Sequence, residues 1–118
     1  MVDIVNEGTL LDKTADTTVG TDGGSTTFVS ATFRPRNKAG LTNVFFYSSV
    51  NIAKGGVALK VKDPSGTFRT LLSSSPALTG GNTDYIYADI PLGEARVDVT
   101  PNVTAATSKD IRVWFVSA

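Results

Sequence analysis

The chain has 118 residues, 41% of them hydrophobic and 19% charged, which suits one soluble domain whose single core hides roughly two-thirds of the surface its unfolded chain exposes. Eleven Lys and Arg balance eleven Asp and Glu, so no basic excess points to nucleic acid. Histidine and cysteine are both absent, which excludes a Ser-His pair, the usual zinc ligands, disulfides and a thiol nucleophile, and turns the expectation from catalysis to binding or assembly.

The start, Met1 to Glu7, carries early acids and no apolar run long enough for a secretory signal, so synthesis without export, in a host cytoplasm, is expected. No stretch approaches the ~20 apolar residues of a membrane span. Val2, Ile4, Val5, Leu10 and Leu11 make residues 1–19 either an exchangeable arm or a first strand, expected between residues 9 and 19, that adds to its own sheet. Asp12 and Asp16 lack the spacing of a calcium loop. Residues 20–27 form a Gly-rich connection without the Gly-Lys-Ser/Thr ending of a phosphate loop.

A β-rich run then covers residues 28–34, and its end begins the one compact basic group, Arg34, Arg36 and Lys38, which reads as a solvated strand end or as a small patch for an acidic partner. Residues 43–50 follow as a strand. Val57, Leu59 and Val61 alternate with Ala58, Lys60 and Lys62, a half-buried strand. Asp63-Pro64-Ser65-Gly66 is a type I turn signature, giving a hairpin to residues 68–72. Ser73-Ser74-Ser75 has no histidine to activate it and reads as loop. Further strands are expected over 84–90, over 96–100 with Pro101 stopping the ladder, and over 111–116. The sequon at Asn102-Val103-Thr104 is read as coincidence, and no pair among the eleven acids stands out as a glycosidase pair.

No window shows a helical stripe, and the connections are rich in Gly, Ser, Thr, Asn and Pro. About eight short strands therefore give an all-β fold: residues 1–118 as one antiparallel β-sandwich, jelly-roll-like rather than immunoglobulin-like. In two strands both faces are apolar: Phe45 and Tyr47 oppose Val44 and Phe46, and Trp114 and Val116 oppose Ile111, Val113 and Phe115. A two-layer sandwich covers one face of each sheet, so the second face needs another cover. The candidate interface is Val2, Ile4, Leu10, Leu11, Phe46, Trp114, Arg34 and Arg36. The alternative surface is a glycan platform of Tyr47, Tyr85, Tyr87 and Trp114. No catalytic, cofactor or metal site is expected.

A cysteine-free, Thr- and Gly-rich sandwich with a short apolar N-terminal segment and a closing Ile111-Arg112-Val113-Trp114-Phe115-Val116 strand resembles the small structural proteins of tailed-phage particles, capsid decoration (cement) proteins above all. That resemblance implies a virion location and a non-enzymatic role, with partners being further copies of the chain, a trimer favoured, and the major capsid protein. Tail, baseplate and fibre components share the same look, and a carbohydrate-binding module is the alternative. The resemblance carries no residue-level correspondence.

Overall fold

Alternating apolar and polar residues become eight strands in a computed structural model that describes residues 6–17, 26–34, 41–73, 75–89, 93–102 and 108–117. They are β1 (Asn6–Asp16), β2 (Phe28–Val29), β3 (Leu41–Ser48), β4 (Val57–Lys62), β5 (Phe68–Leu72), β6 (Asn82–Asp89), β7 (Ala95–Val99) and β8 (Lys109–Ser117). All pairings are antiparallel and make two four-stranded sheets, sheet A in the order β1-β8-β3-β6 and sheet B in the order β2-β7-β4-β5. That order is the double Greek key of a jelly roll. Among the described residues there is no helix.

The core lies between the sheets. Val44, Phe46, Ile111 and Val113 of sheet A face Val57, Leu59, Val97 and Val99 of sheet B, all of them fully buried. Phe33, bridged to β7 at Ala95, packs its ring on Phe115 of β8 at 4.6 Å between centroids, a contact across the two layers. One polar pair sits inside sheet A, the Thr42 and Ser117 hydroxyls 3.2 Å apart. Burial of such groups is tolerated because each meets a partner.

The open sides of the sandwich are stitched by backbone. On one side Ser30 N–H donates to the Val97 carbonyl in sheet B and Ala31 N–H to the Leu10 carbonyl in sheet A. The expected strand over 28–34 is therefore cut to two residues and a bridge, because its middle leaves one sheet to reach the other. On the opposite side Ile52 and Leu78 exchange both backbone hydrogen bonds at 2.9 Å.

The hairpin between β4 and β5 follows its turn chemistry. Gly66 N–H donates to the Asp63 carbonyl at 2.9 Å, and Gly66 has φ +90°, a conformation that glycine adopts without a Cβ penalty. β1 starts earlier than the 9–19 expectation and carries two register irregularities, after Thr9 and after Lys13. In the second, Ala15 takes φ +50° and donates its N–H to the Asp110 carboxylate at 2.8 Å.

Candidate functional site

Register decides which side chains share the outer face of sheet A. Thr9 pairs with Trp114, Trp114 with Phe45, and Phe45 with Tyr85, so these four residues form one row across all four strands. The neighbouring rows are Glu7, Val116, Asn43 and Tyr87 on one side, and Asp12, Arg112, Tyr47 and Thr83 on the other. Five aromatic side chains thus lie on one face. Tyr85 is 51% and Tyr87 61% exposed, while Phe45, Tyr47 and Trp114 are half-buried.

The rings are ordered. Phe45 and Trp114 are near-parallel, 18° between planes and 6.1 Å between centroids, and Phe45 meets Tyr85 at 5.8 Å. Arg112 places its guanidinium over the Tyr47 ring at 5.5 Å and its Nε 3.7 Å from the Asp12 carboxylate. At the Thr9–Trp114 end of the central row, a shallow depression of about 370 Å³ opens between β1 and β8, lined by Glu7, Gly8, Thr9, Trp114, Phe115 and Val116. Gly8 leaves room there for the Phe115 ring, since a Cβ would stand 3.3 Å from its Cε1.

The outer face of sheet B is of another kind. Asp98 takes Lys60 Nζ at 2.9 Å and Arg96 Nε at 3.1 Å, and Lys62 pairs with Glu94 at 3.2 Å. Arg96 also covers the Phe68 ring at 4.4 Å. Hydrogen bonding by Lys62, then Thr32, holds the Glu94 carboxyl below its ordinary value. Asp63, at the hairpin turn, is held well below the usual carboxylate range by the Ser65 hydroxyl, the Arg69 guanidinium and the Thr67 N–H. Both are structural arrangements of charge. Among the described residues no group of three or more His, Cys, Asp or Glu could hold a metal ion.

The sequence-derived candidates separate on this map. Trp114, Tyr47, Tyr85 and Tyr87 are brought together on the outer face of sheet A. Phe46 is corrected: it pairs with Val113 on the inner face and is fully buried. Leu10 and Leu11 are corrected likewise, because β1 is an edge strand of its own sheet, paired with β8, and both side chains join the core. Arg34 is exposed. Val2, Ile4 and Arg36 lie outside the described residues. Ser75 is buried and accepts the Val57 N–H. Phe45 was missed as a candidate, although its parity with Tyr47 placed it opposite Phe46.

No family model and no curated protein matches the sequence. Among solved structures the chain is similar to one from the work described as "Bacillus endospore appendages form a novel family of disulfide-linked pili", at a TM-score of 0.41 and 11% identity, over 96% of this chain and 84% of that one. The disulfide linkage belongs to that protein; the present chain has no cysteine.

Proposed function

We propose that the chain is a non-enzymatic structural protein of a particle surface, in its most specific form a capsid decoration protein that assembles with itself, as a trimer, and seats on the major capsid protein of a virion. The observation that carries the contact part of this reading is the outer face of sheet A, where Tyr85 and Tyr87 stand more than half exposed beside the half-buried Phe45, Tyr47 and Trp114. A molecule without imidazole or thiol chemistry, yet with such a face, works by adhesion. Repetition over many copies then multiplies a modest contact into bracing of a shell.

The reading is tested by sedimenting assembled particles through a density gradient and measuring the mass of the free protein by light scattering. Co-sedimentation at a fixed copy number and an oligomeric mass are expected. A strict monomer at high concentration would remove the self-association part, and absence from particles would remove the decoration part. Turnover of a substrate by the pure protein would overturn the non-enzymatic part.

A further inference from the structure

We infer that the free edge of β6 is a joint between two copies of this chain, formed by antiparallel, two-fold pairing of β6 with β6 of a second copy. The inference rests on the self-association part of the reading above and adds a contact to it. An isologous joint closes on two copies, so it is separate from the threefold contact of a trimer, and an edge-to-edge contact leaves the outer face of sheet A free to seat on a shell. Three observations carry it.

The first is which edge is open. Of the four edge strands among the described residues, β1 is bulged and has its Leu10 carbonyl taken by Ala31, β2 is two residues long, and β5 has five residues and pairs across a register irregularity. β6 is long and regular instead, eight residues in unbroken register with β3. Such an edge is a template for a further strand.

The second is where its backbone points. Ser49 N–H donates to the Asp110 carbonyl, so the odd positions of β3 serve β8 and the even ones serve β6. Asp84, Ile86 and Ala88, paired with Phe46, Val44 and Thr42, therefore spend their backbone groups on β3, and Thr83, Tyr85 and Tyr87 turn theirs outward. Tyr85 N–H meets the carboxylate of its neighbour Asp84 at 2.8 Å, as a group on the open side does.

The third is self-complementarity. With the two-fold axis at Ile86, Tyr85 lies opposite Tyr87 of the second copy and Tyr87 opposite its Tyr85, so the two rings more than half exposed on this face become cross-strand aromatic pairs. On the inner face Ile86 meets Ile86 of the second copy, and Asp84 meets Ala88. No like charges stand opposite one another, whereas a shift of two residues sets Ile86 against Asp84. Asp84 is the brake on this joint, because its carboxylate must release the Tyr85 N–H before that group can enter the new ladder.

The chain has no cysteine, so one introduced thiol reports on this joint alone. In the pairing, Ile86 and Ile86 of the second copy form a non-hydrogen-bonded pair with Cα atoms about 4.5 Å apart, within disulfide reach. Thr83 stands roughly 20 Å from Thr83 of the second copy. The experiment oxidises full-length Ile86→Cys and Thr83→Cys, and in parallel measures the light-scattering mass of cysteine-free wild type, Asp84→Ala and Tyr87→Pro against concentration. Ile86→Cys should give a disulfide-linked dimer and Thr83→Cys should not. Asp84→Ala should tighten the two-copy association by roughly tenfold or more, since each copy no longer gives up a bond to a charged group. Tyr87→Pro should keep the thermal unfolding midpoint near wild type, because the lost N–H faces solvent, and should abolish the association. The inference is overturned if Thr83→Cys crosslinks as well as Ile86→Cys, if folded Ile86→Cys gives no dimer, or if Asp84→Ala associates no more tightly than wild type. A trimer mass that persists in Tyr87→Pro alongside any of those results would strike the joint and leave the threefold reading standing.

Discussion

Phe45 and Phe46 are chain neighbours with opposite fates. Alternation alone says that they point to opposite faces, but which one is inside depends on the partner strand, and Phe46 is drawn in because it pairs with Val113 while Phe45 pairs with Trp114. Phe46→Ala should cost about 3–5 kcal/mol by opening a cavity in a close-packed interior. Phe45→Ala should cost about 1–2 kcal/mol, the value of two ring contacts on a partly wet face. Urea unfolding of the two variants checks this, and equal losses would contradict the register. Asp63 supplies a pH test. Its folded carboxyl titrates below its ordinary value of 3.8, so its contribution to stability is complete above that pH and disappears as the pH falls through the lower folded value. Asp63→Ala should therefore be less stable than wild type at neutral pH, and the gap should narrow below about pH 4. A gap that stays constant or widens on acidification would refute this role.

Among the elements, the β4–β5 hairpin was legible almost residue by residue, because its signal is local: an alternating strand, an Asp-Pro-Ser-Gly turn and a second strand within sixteen residues. The β2 region was not, because its length is set by partners far away in sequence. Ser30 shows the reason. Its hydroxyl accepts the Val97 N–H at 2.8 Å and donates to the Ala31 carbonyl, fixing the point where the chain leaves sheet B for sheet A. Ser30→Ala leaves the buried Val97 N–H without that acceptor and should cost about 1–3 kcal/mol. Hydrogen exchange at Val97 is the sharper readout, with protection expected to fall there before it falls in β3. The β6 edge shows a complementary device: Asp84 takes the Tyr85 N–H at 2.8 Å, and an acid on an edge strand disfavours strand addition.

At the scale of the whole molecule, the sequence announced a jelly-roll-like sandwich but not its individual strand pairings. β1 pairs with β8 and β3 with both β8 and β6, so the ends of the chain meet in one sheet, and no local pattern encodes such long-range choices. What was legible was the surplus: two strands with apolar residues on both faces. What was not was that one sheet would gather that surplus into an aromatic row while the other sets ion pairs beside the exposed Val29 on its outer face. This asymmetry is the physical basis for assigning the contact role to sheet A.

The most direct test is the Tyr85→Ala/Tyr87→Ala double variant, compared with wild type for retention on polysaccharide matrices and on assembled particles. Both tyrosines are more than half exposed, so the fold should survive their loss, with the midpoint of thermal unfolding moving by no more than about 4 °C. The variant should be released from whichever support holds the wild type. Retention of the folded variant equal to wild type on that support would contradict the claim that this face is where the protein acts.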